Sequence, residues 1–467
     1  MSLSRTIKSI QDILRKDSGL DGDPQRISQL VWMLFLKMFD DTEDTNRTPI
    51  PENIKWRNWT KADFSDDELI AFVNSTLFPT LRALPDVIGQ VPRAKLIEEI
   101  FSNSHNYMTS GSLMKQVIKR LDTEFNFKDS ENRHLFNDVY ETILKDIQNS
   151  RYSGEYYTPR PVTQFIVEQI CPKLGHRILD PACGTGGFLS SAIDFLKANH
   201  TDANQDSLQK CILGIEKKSL PYMLCVTNLM LHGIEVPGIM KANAFHKSLN
   251  EITEEDKVDV ILTNPPFGGI EEDAVLKGFT KDIHSKETAD LFILLIMELL
   301  KDGGKAGVVL PDGFLFGTGA KTKVKEKLIK EFNLHTIVRL PRGVFAPYTD
   351  INTNILFFEK GKPTQGIWYY EHQLPQSRKG RPYNKSNPIQ LSEFENEWWL
   401  NRVENEFAWQ VHVDAVVNNE YNLDFKNPSK QIIVDDVQST KDIFDQIVEN
   451  QKSISEIFNS IQKELFS

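Results

Sequence analysis

From residue 151 to about residue 365 the chain alternates short apolar runs with helical patterns, and no other feature narrows its fold as sharply. The runs at 177–180, 211–216, 258–264, 306–311, 335–340 and 355–358 have strand length. Strands separated by helices predict a parallel sheet, because a parallel return needs a crossover long enough to hold a helix. The expected fold class is α/β, a doubly wound Rossmann-like sheet. Ligands in that architecture bind outside the carboxyl ends of the strands.

The flanks differ in texture. Residues 1–150 show helical periodicity without strand alternation: Ile27, Leu30, Val31, Leu34, Phe35 and Met38 share one face, and "SLMKQVIKRLDTEF" is a second amphipathic segment. Their plainest role is a helical bundle packed on the next domain. After about 362 the chain is rich in Trp, Asn and charge, and Ile443, Ile447, Ile454, Phe458, Ile461 and Leu465 mark a long terminal helix over 436–466. One apolar stripe of that length needs a surface, and another subunit is as good a candidate as the chain's own body. At 467 residues the chain is too long for one core. The expected division is a helical N-terminal domain at 1–150, the α/β domain at 151–365 and a C-terminal extension with a docking helix at 366–467.

Composition excludes several classes. Cys171, Cys183, Cys211 and Cys225 lack CxxC spacing, so they predict reduced core thiols and no metal site. The N-terminus has no signal-peptide core, and the apolar run 30–39 is too short to span a bilayer and contains Lys37. A cytoplasmic protein is expected. The net charge of -11 is unlike that of a protein that grips nucleic acid unaided, so either nucleic acid is not touched or a partner carries much of the grip.

Two motifs carry chemistry. In "RILDPACGTGGFL" (177–189) a strand runs into an acid, a glycine turn and a helix start. Gly184, Gly186 and Gly187 let backbone approach a ligand. Dinucleotide sites use similar turns, but Asp180 at the strand end would repel a pyrophosphate and attract a cation. S-adenosyl-L-methionine brings a sulfonium, an amino group and no phosphate. Glu216, ending the next run, can accept both ribose hydroxyls, and Asn243 in "KANAF" can hydrogen-bond the adenine amino group.

The second motif is "TNPPFGG" (263–269), where prolines stop an apolar strand. An exocyclic aromatic amine is a poor nucleophile, because its lone pair is delocalised into the ring. Two acceptors that hold its hydrogens turn the lone pair toward a methyl donor. Asn264 supplies a side-chain oxygen and Pro265 a carbonyl, with Pro266 stiffening the turn. Phe267 can stack on a base, a contact worth about 1–3 kcal/mol. Catalysis would rest on placement. The target base must leave the duplex at a cost of a few kcal/mol.

With "GEYYTPRPV" (154–162), "ADLFILLIMELLKDGGKAGVVLP" (289–311), "LPRGVFAPYTDINTNILFFEKG" (340–361) and "YNLDFKNP" (421–428), these motifs make the chain resemble the modification subunits of type I restriction-modification systems, which are adenine-N6 DNA methyltransferases. The resemblance covers most of the chain. It implies that Glu155, Tyr156, Tyr157, Thr158, Pro159 and Arg160 wrap the methionine end of the cofactor, with the Thr158 hydroxyl at its carboxylate. Thr185, Gly186 and Gly187 belong to the same pocket, with Glu216 on the ribose. Asn243 departs from the aspartate of many relatives but keeps an acceptor oxygen, and Phe267 in place of tyrosine keeps the stacking ring.

The resemblance further implies double-stranded DNA as substrate, a separate specificity subunit, a restriction subunit in the full complex and two copies of this chain per specificity subunit. The choice of sequence by that specificity subunit would account for the acidic balance, and the terminal helix would dock on it. Lys321, Lys323, Lys325 and Lys327, with Arg378, Lys379 and Arg381, are candidate phosphate contacts, an ordinary solvated face being the alternative. The charged span 270–288 is expected to order over DNA.

Other readings compete. Protein-glutamine methyltransferases share an NPP turn but have a smaller helical part and lack the C-terminal extension. Cytosine-N4 methylation uses the same amine chemistry. Carbon-5 methylation needs a Pro-Cys nucleophile, and Cys171-Pro172 has the wrong order. A silent DNA-binding scaffold would have no reason to hold Asp180, Glu216, Asn264 and Phe267 together. No P-loop motif occurs, so ATP-driven chemistry belongs elsewhere.

Overall fold

A computed structural model describes residues 3–42, 50–88, 91–127, 157–271 and 285–430 except 347, 348 and 385. It also describes positions 276, 278, 283, 447, 448, 450–452 and 454. Residues 1–425 form one compact unit and 426–467 another.

The first unit contains a nine-stranded sheet with the order β3-β2-β1-β4-β5-β7-β6-β8-β9, numbered along the chain. The strands are β1 Ile178–Asp180, β2 Ile212–Glu216, β3 Gly238–Lys241, β4 Val258–Thr263, β5 Leu300–Pro311, β6 Phe332–Leu340, β7 Thr353–Lys360, β8 Gly366–Glu371 and β9 Ala408–His412. Strands β3, β2, β1, β4 and β5 pair in parallel. β7 enters antiparallel between β5 and β6, and β9 pairs antiparallel with β8. A wholly parallel arrangement is therefore not what forms. The connection from β6 to β7 holds no crossover helix among its described residues, so the chain turns back at the same edge of the sheet.

Side chains alternate across the sheet as the two-residue pleat requires. Val260 and Leu262 join one core cluster while Ile261 joins the other, and Ile355 and Phe357 are divided in the same way from Leu356 and Phe358. The first cluster also takes in helices Arg160–Ile170, Gly187–Asn199 and Ser219–Leu231. The second takes in helix Thr288–Leu299, buried at almost every position.

The N-terminal helices share the first cluster. Helix Asp23–Thr42 does not present a single apolar face, as its periodicity suggested. It is buried from Leu30 to Asp40, so it runs through the middle of the bundle. Its polar members have partners: Gln29 donates to Asn106 and accepts from the Tyr107 N–H, and Lys37 pairs with Asp41 and Asp122. The bundle meets the sheet domain through Tyr222, fully buried, whose hydroxyl donates to Glu99 at 2.8 Å.

The expected terminal helix over 436–466 lies largely outside the described residues, although positions 447, 448, 450–452 and 454 are helical. No helix among the described residues is long and apolar enough to cross a membrane.

Candidate active site

The direction of strand succession reverses between β1 and β4, which opens a crevice at their carboxyl ends. Asp180 ends β1 and Asn264 follows β4, so the two motifs meet there. The Thr263 hydroxyl donates to Asp180 Oδ1 at 2.7 Å across the crevice, and the Ala182 N–H donates to the same oxygen at 3.0 Å. Burial pushes the Asp180 carboxyl up to about 7; the two hydrogen bonds oppose the rise and the charge of Glu216 adds to it.

The glycine turn wraps the next acid. Gly184 has φ 52 and Gly186 φ 81, both in the left-handed region. A Cβ on Gly186 would lie 2.9 Å from Cys225 Sγ. Gly184 N–H donates to Glu216 Oε2 at 2.9 Å, and Lys218 N–H donates to Oε1 at 2.7 Å. The carboxylate is thus held at the end of β2 by backbone. The Asn228 amide ties down the Thr185 carbonyl at 3.1 Å, and Gly187 opens the following helix.

Beside this lies the proline turn. Asn264 and Pro265 are buried, Pro266 and Phe267 half-buried, and Gly268, Gly269 and Ile270 exposed. The Asn264 Nδ2 donates to Thr158 Oγ1 at 2.9 Å. Its Oδ1 is buried and has no hydrogen-bond partner. An unsatisfied buried acceptor costs about 1–3 kcal/mol, so the fold keeps this oxygen bare at a real expense. Phe345, also buried, meets Phe267 edge-on with ring centroids 6.2 Å apart. Past the turn, Ile270 bridges Glu287 antiparallel, and Glu271 N–H donates to the Lys286 carbonyl at 3.1 Å. The ends of the span 270–288 are thereby clasped together, while most of 272–284 lies outside the described residues.

The remaining candidates divide. Thr158 reaches the site through Asn264, Tyr157 before it is half-buried, and Pro159 caps helix Arg160–Ile170. Arg160 turns toward helix Gly187–Asn199, donating to Ser190 at 2.7 Å and lying 3.7 Å from Asp194. Asn243 follows β3, where its side-chain oxygen accepts the Phe245 N–H at 3.1 Å. Glu155 and Tyr156 lie outside the described residues.

Most of the basic candidates have internal work. Lys321 is buried against Asp290 and Glu287. Lys325 is buried and donates to the carbonyls of Leu315 and Gly317, and burial lowers its pKa to about 8. Lys327 pairs with Glu331, and Arg378 holds Glu393 and stacks over Tyr383. Lys323, Lys379 and Arg381 remain exposed.

Sequence reasoning missed Thr263 and Phe345. Both stand in quoted stretches, "TNPPFGG" and "LPRGVFAPYT", but each acts through a neighbour far away in the chain that those stretches do not name.

The chain is similar to known proteins over most of its length. The family model described as N-6 DNA Methylase matches residues 131–436, and the one described as HsdM N-terminal domain matches residues 3–121. The EcoEI type I methylase subunit of Escherichia coli is 51% identical over 449 residues, covering 92% of this chain and 91% of its own. The EcoKI methylase subunit of Escherichia coli K12 is 27% identical over 425 residues, covering 85% and 77%. A crystal structure of a type I modification subunit from Vibrio vulnificus YJ016 matches with TM-score 0.83 and 40% identity over 93% of this chain and 98% of that one. A chain from a type I restriction-modification complex matches with TM-score 0.80 and 35% identity over 99% and 98%. With likeness of that extent, the chain belongs to the N-6 DNA methylase family, among the adenine-methylating modification subunits of type I restriction-modification enzymes.

Proposed function

We propose that the crevice between β1 and β4 holds S-adenosyl-L-methionine and that the turn at Asn264–Phe267 presents the N6 amine of a flipped-out adenine to it. When bound, the cofactor supplies a methyl group made electrophilic by a sulfonium. Asp180, Gly184, Thr185, Gly186, Gly187 and Glu216 would hold it, with Glu155, Tyr156, Tyr157, Thr158, Pro159 and Arg160 around its methionine end and Asn243 at its adenine. The donors and acceptors present fit such a group. A buried acid poised near neutrality suits a cation, and backbone amides already fix the carboxylate offered to the ribose. Arg160 fits less directly, since its guanidinium faces Ser190 and Asp194. It would act by fixing the start of its helix.

The reading is carried by the bare, buried Oδ1 of Asn264. That oxygen and the Pro265 carbonyl would take the two amine hydrogens, leaving the lone pair toward the methyl group, while Phe267 with Phe345 edge-on behind it would clamp the base. Pro266 limits the freedom of the turn. No proton need leave before the methyl arrives, so placement dominates.

The partners follow the same reading: double-stranded DNA, a specificity subunit that chooses the sequence, a restriction subunit in the full complex and two copies of this chain per specificity subunit. The segment 436–467 would dock on the specificity subunit, in a division of 1–150, 151–365 and 366–467, and the setting would be cytoplasmic. Relatives are named as methylase subunits of type I restriction enzymes, which supports these assignments.

The test is co-expression with the neighbouring reading frames, followed by transfer of labelled methyl to DNA and identification of the modified base. Asn264→Ala should lower transfer about 10²-fold or more, the scale on which single preorganised polar groups act, and leave cofactor affinity nearly intact by calorimetry. Equal loss of both would reject the assigned role.

A further inference from the structure

A carboxamide is nearly symmetric in shape, and only one of its two orientations is useful at Asn264. With Oδ1 toward the substrate it accepts an amine hydrogen; turned over, it meets that hydrogen with its own N–H. The backbone does not choose between the two, because the side chain can rotate about its last bond. The partner of the other end therefore matters, and that partner is Thr158 Oγ1, at 2.9 Å from Nδ2 and buried. A hydroxyl alone is an incomplete selector, since it can donate as readily as accept. It becomes one when its proton is engaged elsewhere. Oγ1 can then only accept, and Asn264 must turn its N–H to Thr158 and its oxygen to the substrate.

We infer that Thr158 is a positioning residue that sets the orientation of the Asn264 carboxamide, and that a carboxylate arriving on the methionine side of the crevice completes the selection by taking the Thr158 proton. The inference rests on the reading of Asn264 as an amine acceptor. It assigns Thr158 a second duty beyond cofactor contact, and the cofactor's carboxylate would lock the orientation that the structure already shows. Thr158 and Asn264 lie 106 residues apart in the chain, so the link is made by tertiary structure alone.

The experiment uses the complex with its specificity partner and compares Thr158→Val with Thr158→Ser. Thr158→Val should lower kcat about 10–100-fold at saturating cofactor and DNA, the cost of one or two lost hydrogen bonds, and Thr158→Ser should stay within about threefold of the parent. Binding gives a readout independent of turnover. With S-adenosylhomocysteine bound, the parent should prefer DNA carrying adenine at the target over DNA carrying purine, which lacks the amino group. Fluorescence anisotropy should show that preference lost in Thr158→Val and kept in Thr158→Ser.

An Asn264→Asp background closes the cycle, because a carboxylate presents an oxygen in either orientation. There Thr158→Val should add little further loss in kcat or in base preference. A Thr158→Val protein with normal kcat and intact base preference, and only a raised cofactor KM, would overturn the inference and leave Thr158 as a cofactor ligand. If Asn264→Ala keeps full activity, the acceptor reading itself falls; if Asn264→Ala is dead while Thr158→Val discriminates normally, only this inference falls. Melting temperatures of the valine and serine variants within a few degrees of the parent separate orientation from misfolding.

Discussion

Asp180 is a carboxyl kept where water cannot stabilise its charge, 1% exposed and raised to about 7. In the unfolded chain it titrates near 3.8, so its contribution to stability is fully present below that value and lost as pH rises through about 7. A cation in the crevice reverses the preference by favouring the carboxylate. Asp180→Asn should therefore gain melting temperature relative to the parent, both cofactor-free, as pH rises from about 4 to 7. In the parent, cofactor affinity by calorimetry should weaken as pH drops below about 7, and the variant should bind weakly throughout. At Gly186, φ 81 and the close Cys225 sulfur forbid a side chain. Gly186→Ala should cost about 1–2 kcal/mol from the left-handed backbone alone, measured by urea unfolding, and more from the clash.

At the scale of elements, the parts legible in the sequence were those whose chemistry and geometry coincide. β1 and β2 end in acids and an asparagine follows β4 because strand ends are where a doubly wound sheet meets its ligand, and a glycine turn announces the first. β3, four residues reading "GIMK", has no apolar run to announce it. β8 and β9 hide in a stretch rich in Trp, Asn and charge whose rings pack on one another, as Tyr369 stacks on Trp409 at 5.3 Å. β7 was visible as a strand, but its antiparallel placement depends on the 341–352 connection, which carries no periodic signal.

The lysines of helix Ala320–Glu331 misled for a related reason: charge in a sequence does not say which way it faces. Lys325→Met should lower stability by about 1–3 kcal/mol in urea unfolding, because two buried carbonyls lose their donor. It should leave DNA affinity at fixed salt unchanged; a fall in affinity at equal stability would reinstate Lys325 as a phosphate contact.

Across the whole molecule, two histidines in the far half of the sheet, His372 buried and His335 half-buried, set an acid limit. Burial lowers His335 and His372 to about 4, His335 stacked near Phe357 and Trp399, His372 beside Tyr383. Their unfolded value is near 6.5, so the unfolded state binds more protons between about 6.5 and 4 and stability falls as pH descends through that window. His335→Gln should shrink that contribution, read as the difference in melting temperature from the parent against pH, and it should leave the difference between the parent and Asp180→Asn unchanged. The helical bundle and the sheet should melt together, since they share one core cluster and the Tyr222–Glu99 bond. Tyr222→Phe should cost about 0.5–1.5 kcal/mol without splitting the transition.

The small clasp between Ile270 and Glu287 closes the stem just past the turn at Asn264–Phe267. Such a closure insulates the corner from whatever lies beyond it, much as a knot isolates the hem from the length of a thread. Changes of length between those two residues should therefore leave the backbone at Asn264 in place.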